Sequence, residues 1–279
     1  MNLLIQFLLR LSFGLAAGMA ITSPKRVTSG YFRNHLYVTL GLTTLAAMVS
    51  YSAAPEVLWY AVGAAVASYV GSVCWLYEKP VAGKAMLLLV ILSSIEGLST
   101  LPSTTLDPLV GDESLMGKYS QQLEKYGQEE EERDWWIGMT SGVLTETSVA
   151  TSGLLLGMTM AAMLLGHWYL NTPTMELVPL RRLIIAMGVA VGMQAIVSAL
   201  GLWGEVTYAS EISTQWWLFL LLRWLFGIIG VAILAWMAWQ TLKIPNTQSA
   251  TGILYVAVIG TFVGETMALL LSAESLFPL

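Results

Sequence analysis

The stretch GVLTETSVATSGLLLGMTMAAMLLGHWYLNTP, Gly142–Pro173, decides the fold class. Between Glu146 and His167 it holds no charged residue. A helix over those residues would be about 31 Å long at the α-helical rise, close to the hydrocarbon thickness of a bilayer. The two polar residues are therefore expected near opposite faces of a membrane.

The rest of the chain agrees with that solvent. Apolar residues make up 56% and charged residues 11%, with a mean hydropathy of +0.68. A water-soluble domain carries about 25% charged residues, so this surface calls for lipid. The net charge of −5 gives no footprint for nucleic acid, and the single Cys74 excludes a disulfide framework. Met1–Ile21 reads as a retained first helix rather than a cleaved signal. It lacks a basic start, carries Arg10 mid-run and is followed by Lys25 and Arg26.

Runs near 20 apolar residues predict eight spans, at about 3–22, 35–53, 56–77, 83–101, 137–169, 180–203, 214–241 and 250–272. Lys25, Arg26, Arg33, Lys79, Lys84, Arg181, Arg182 and Lys243 all fall after spans 1, 3, 5 and 7. Short loops on the other side hold Glu56, Glu205 and Glu211 and no Lys or Arg. The positive-inside rule makes the basic side cytoplasmic, in a cell (inner) membrane, with both termini extracytoplasmic. Trp59, Trp135, Trp136, Trp203, Trp216 and Trp217 are expected at the outer boundary, and Trp75, Trp168 and Trp239 at the inner one.

The order of features suggests a duplication. Phe13–Ile21 reads FGLAAGMAI and Ser152–Met160 reads SGLLLGMTM, sharing G-L-x-x-G-M. Ser23-Pro24 and Thr172-Pro173 each precede an arginine, Arg33 and Arg182, by nine residues from the proline. Spans 4 and 8 each carry one glutamate, Glu96 and Glu265. Four helices per copy make the copies parallel. The expectation is all-α: two parallel-related four-helix bundles, residues 1–101 and 137–279, separated by an acidic extracytoplasmic loop, 102–136. Over Pro102–Asp134 that loop carries nine acids against Lys118, Lys125 and Arg133, with Tyr119, Leu123 and Tyr126 at helical spacing. It reads as a solvated surface segment, or as a docking site for a partner subunit. The pairs Gly14/Gly18, Gly153/Gly157 and Gly188/Gly192 have the spacing that lets membrane helices approach closely.

Five ionisable residues lie within spans: Arg10, Glu96, Glu146, Arg223 and Glu265. Counting from the loops puts all five in the outer half of the bilayer. A charge there costs at least about 2.5–3.5 kcal/mol, so pairing is expected: Arg10 with Glu96 or Glu146, Arg223 with Glu265. Either the pairs only orient helices, or they line a pocket open to the outside with a spare carboxyl to exchange a proton. Gln194 and Gln215 are further polar groups on spans 6 and 7. His35 and His167, the only histidines, lie at cytoplasmic helix ends, where anchoring outweighs haem ligation. No CxxCH, HExxH, Walker or GxGxxG pattern is present, and no catalytic motif is evident.

Arg223 opening an apolar helix, the Lys243-Ile244-Pro245 turn, Gly264-Glu265 inside the last span and FGLAAG near Phe13 carry a resemblance. The chain resembles the membrane-anchor subunits of dimethyl sulfoxide and polysulfide reductases. The resemblance covers about a quarter of the chain, mostly Leu222–Leu271. It implies a subunit that holds catalytic and iron–sulfur partners on the membrane and binds quinone near the outer face, with Glu265, Arg223, Arg10 and Glu146 beside it. A small-solute or ion transporter or channel, and a purely structural assembly subunit, are the alternatives.

Overall fold

The structure, a computed structural model, describes residues 1–101, 130–172, 175–208, 214–244, 246–275 and 277–279, with side chains of the long fifth helix described from 139 onward. Residues 102–129 of the expected acidic loop lie outside these residues, as do the side chains of Trp135 and Trp136, whereas 130–136, expected in that loop, are helical. Among the described residues all regular structure is helical. Eight helices are long and apolar enough to cross a membrane. They are α1 (Asn2–Ile21), α2 (Ser29–Ala53), α3 (Leu58–Leu76), α4 (Pro80–Ser99), α5 (Glu130–Asn171), α6 (Val178–Tyr208), α7 (Thr214–Thr241) and α8 (Thr247–Ser272).

Helix ends follow local chemistry. Pro80 opens α4, where its missing N–H is not needed. Glu78, at φ 54°, supplies the left-handed residue that ends α3. Asn246 caps α8 by accepting the Ser249 N–H at 3.0 Å. Hydroxyls inside the spans mostly return to their own helix. Ser12, Thr22, Thr43, Ser68 and Thr159 each donate to the carbonyl four residues back. That satisfies them where lipid offers no partner.

In three places the helices run about five or more residues beyond the apolar runs. α2 begins at Ser29 rather than 35, α5 at Glu130 rather than 137, and α6 runs to Tyr208 rather than 203. An apolar window stops at the first polar residues, whereas a helix continues into the interface, where water again solvates side chains.

Each helix packs on its chain neighbours, α1 on α2, α2 on α3 and α3 on α4, and α4 returns to α1. The same holds for α5 to α8, with α8 returning to α5. α1 and α5 form the main contact between these sets. Gly14 faces Gly153 and Gly157, while Gly18 faces Ala161, so both helices run the same way. Glycine at these places lets the two backbones touch.

The third small-residue pair behaves otherwise. Among the described residues nothing lies within 4 Å of a Cβ built on Gly188 or Gly192. These glycines face outward, and the close approach expected for them is absent. Replacing Gly188 by Ala should leave thermal stability in detergent unchanged or slightly raised, since Gly in a helix interior is worth about 1 kcal/mol less than Ala. A melting shift downward would show that Gly188 packs after all.

One apolar core, including Leu15, Met19, Phe32, Leu165, Ile184 and Leu254, runs through both sets of helices toward the basic ends. Toward the opposite ends it gives way to two smaller clusters. One lies around Ile5, Leu9 and Ala61, the other around Trp216, Leu220 and Leu279. Two tryptophans expected at membrane boundaries belong to the interior. Trp75 is buried and stacks on Phe32 with centroids 4.0 Å apart. Trp216 is buried and donates to Ser275 at 3.0 Å. Trp59, Trp203 and Trp217 are exposed.

Candidate functional site

Where the core divides, three of the five intramembrane charges meet. Arg10 on α1 points its Nη1 at Glu265 Oε1 on α8, 2.5 Å away. Arg223 on α7 places its Nη1 3.8 Å from the other carboxylate oxygen. All three residues are buried, at 4%, 1% and 1% exposure. One carboxylate thus lies between two guanidiniums. Charges withdrawn from water to this degree hold together only when paired and hydrogen-bonded.

The surroundings supply part of that bonding. Arg10 Nη1 also donates to Ser152 Oγ on α5 at 3.1 Å, and its Nη2 donates to Gln6 Oε1 at 3.2 Å. Arg223 Nη1 donates to the Gly264 carbonyl at 3.2 Å. Beside Ser152, Thr151 donates to Gln194 Oε1 on α6 at 2.5 Å. Helices α1, α5, α6, α7 and α8 therefore all contribute to one polar layer. Phe7 and Phe262 meet edge-on, with centroids 5.3 Å apart, and join α1 to α8 beside it.

Backbone geometry brings Arg223 into place. From Arg223 to Gly230, α7 widens into a π-helix, which the apolar run does not announce. Gly227 within it comes against Gly264, so close that a Cβ on Gly227 would lie 2.6 Å from the Gly264 Cα. The approach brings the Arg223 side chain within reach of the Gly264 carbonyl and the Glu265 carboxylate. Wide turns of this kind occur often at functional sites.

Not every donor is matched. Arg10 Nε, Arg223 Nε and Nη2, Gln194 Nε2 and the Trp224 indole N–H are buried without a hydrogen-bond partner among the described residues. Ser198 Oγ, one helical turn from Gln194, is likewise unmatched. The excess is almost wholly of donors. A group that completed the layer would be an acceptor: a carbonyl, a carboxylate, an anion or water.

The other two charges stand apart. Glu96 on α4 and Glu146 on α5 are exposed and form no ion pair among the described residues. Glu146 sits six residues before Ser152, about 9 Å along α5 from the layer at helical rise. The expected convergence of five charges is thus a convergence of three. Arg10 pairs with Glu265 rather than with either of those acids, and Arg223 shares the same partner. Counting along each span gives depth but no rotation, and rotation decides which residues face inward.

Three polar participants were not singled out in the sequence: Gln6, Thr151 and Ser152. Gln6 precedes Arg10 by one helical turn, a spacing that was there to be read. Thr151 and Ser152 carry no comparable signal. Gln215 is exposed, whereas Gln194 is fully buried within the layer.

The histidines have separate partners at the basic ends. His35 is buried, its Nδ1 2.5 Å from the Tyr31 carbonyl one turn earlier. His167 is exposed, its Nδ1 3.1 Å from the Tyr255 hydroxyl on α8. No group of three or more His, Cys, Asp or Glu able to hold a metal occurs among the described residues. Comparison with protein-family models, curated proteins and solved structures found no match.

Proposed function

We propose that the chain is an integral membrane subunit of a respiratory or electron-transfer complex, anchoring partner subunits and binding quinone at the Arg10–Glu265–Arg223 cluster. The observation that carries the reading is the donor excess around a single carboxylate. Arg10 Nε and Arg223 Nε and Nη2 are buried N–H groups without acceptors. A quinone head presents carbonyl oxygens, the acceptor type this layer lacks, and Glu265 could take a proton from the reduced form. The resemblance of Arg223, Gly264-Glu265 and FGLAAG to reductase anchor subunits points the same way.

In this reading the chain is a duplication of four helices, with both termini extracytoplasmic in the inner membrane. Two features support it: each set of four closes on itself, and the Gly-Leu-x-x-Gly-Met copies in α1 and α5 run in the same direction against each other. The acidic segment ahead of α5 would face the partner subunits.

A second reading has an observation of its own. The 2.5 Å contact between Arg10 and Glu265 joins the first helix to the last. It could serve assembly alone, as the clamp of a structural subunit.

Purification of the intact complex from native membranes, followed by organic extraction, decides between them. Quinone should co-purify with the chain and its redox partners, and Arg223→Gln should lower the quinone content severalfold while the partners remain bound. Quinone at the wild-type ratio in that variant would overturn the site. Redox partners without quinone would favour the clamp, and a lone homogeneous protein would favour a transporter.

A further inference from the structure

Away from the charged layer, the basic end of the molecule holds a cleft between the exit of α1 and the start of α6. Ile21, Ser23, Arg26, Val178, Pro179 and Arg182 line it. It encloses about 230 Å³ of empty space counted to its open mouth. It is shallow, and beneath the mouth it has room for about one water. A guest would therefore sit across the mouth and reach in with a single oxygen.

The mouth is cationic. Arg26 lines the opening, and its Nε is 3.4 Å from Glu176 Oε2, an exposed pair of the weak kind. Arg182 is exposed and has no ion pair among the described residues. The positive end of α6 adds its partial charge to theirs. Glu176 is engaged by Arg26, and no acid is among the residues that line the cleft.

What lies below the mouth selects the kind of anion. Arg182 shares one face of α6 with Ile185, Val189, Ile196 and Leu200, at steps of three, four and seven residues. All four are exposed. Ile21 and Val178 at the cleft edge are exposed as well. An arginine thus stands at the head of an apolar track running into the bilayer. Free phosphate would use the arginines and ignore the track, whereas a phospholipid would use both.

We propose that this cleft binds the phosphate headgroup of an anionic phospholipid, held by Arg26 and Arg182, with an acyl chain along the α6 track. Basic recesses between membrane helices are suited to such headgroups. The site does not depend on the function proposed above.

The test is lipid retention by the full chain, purified in mild detergent, exposed to phosphatidylglycerol or phosphatidylcholine and read by native mass spectrometry. Wild-type protein should retain phosphatidylglycerol selectively. R26Q/R182Q should lose that retention about tenfold, and a charge-matched K25Q/K243Q variant at the same end should keep it. Glu176→Gln, which frees Arg26, should hold the lipid at least as well as wild type. Equal losses in the two double variants would reduce the effect to diffuse surface charge and overturn the site. Displacement of the lipid by inorganic phosphate alone would overturn the role of the acyl track. Melting temperatures of all variants within a few degrees of wild type show that the fold is not what changed. If R26Q/R182Q unfolds, Arg182→Lys takes its place: selectivity retained in it supports the cationic head, and selectivity lost with the fold intact overturns it.

Discussion

Glu265→Gln should be among the most destabilising single substitutions in this chain. The carboxylate is the common partner of two buried guanidiniums, one on α1 and one on α7. Glutamine keeps the shape and offers one carbonyl, but it cannot balance either charge. Removing one member of a buried ion pair costs about 3–5 kcal/mol because the other is left uncompensated. Two cations are stranded here, so the upper end of that range is expected. The measurement is reversible unfolding of the purified protein in mixed micelles. Combining Glu265→Gln with Arg10→Gln should restore part of the loss, leaving Arg223 its bond to the Gly264 carbonyl. A coupling within about 0.5–3 kcal/mol is the signature of groups in contact. Glu96→Gln and Glu146→Gln act on exposed side chains and should stay within about 0.5 kcal/mol of wild type. A Glu265→Gln protein as stable as those two would mean that the cluster is not a charge clamp.

That contrast marks how far the sequence could be read. The eight helices were legible because lipid imposes a length and a composition, and both are linear properties of a chain. The charged layer was legible in part. Arg10, Arg223 and Glu265 stand out because charge in an apolar run needs a partner. Which acid pairs with which arginine depends on helix rotation, and a span that is apolar on every side leaves rotation unmarked. So Glu96 and Glu146, identical in type to Glu265, could not be separated from it. Trp75 shows the same limit: its place near a helix end was legible, whereas its direction, inward onto Phe32, was not. The π-helical turn at Arg223–Gly230 had no local signature in an apolar run, and neither had the contact of Gly227 with Gly264 inside it.

Gly157→Ala should separate the two sets of helices, although it adds a single methyl group. A Cβ at position 157 would lie 1.7 Å from the Gly14 carbonyl carbon and 2.1 Å from its Cα. One at position 14 would lie 1.8 Å from the Gly153 carbonyl oxygen. The obstructing atoms are backbone, so no side chain can rotate away and one whole helix must withdraw. α1 carries Arg10, so its withdrawal also pulls on the bonds to Ser152 and Glu265. Overpacking of this kind costs about 1–3 kcal/mol by itself, and the stretched ion pair adds to it. Gly157→Ala is therefore expected to approach Glu265→Gln in effect, with a difference in kind. A cysteine pair placed across the α1–α5 contact should cross-link readily in the wild-type background and poorly with Gly157→Ala. In the Glu265→Gln background the glycine contact is untouched, so cross-linking should persist in whatever fraction stays folded. Unimpaired cross-linking in Gly157→Ala would show that the helices have room to spare, and that glycine at these positions is not what sets their approach.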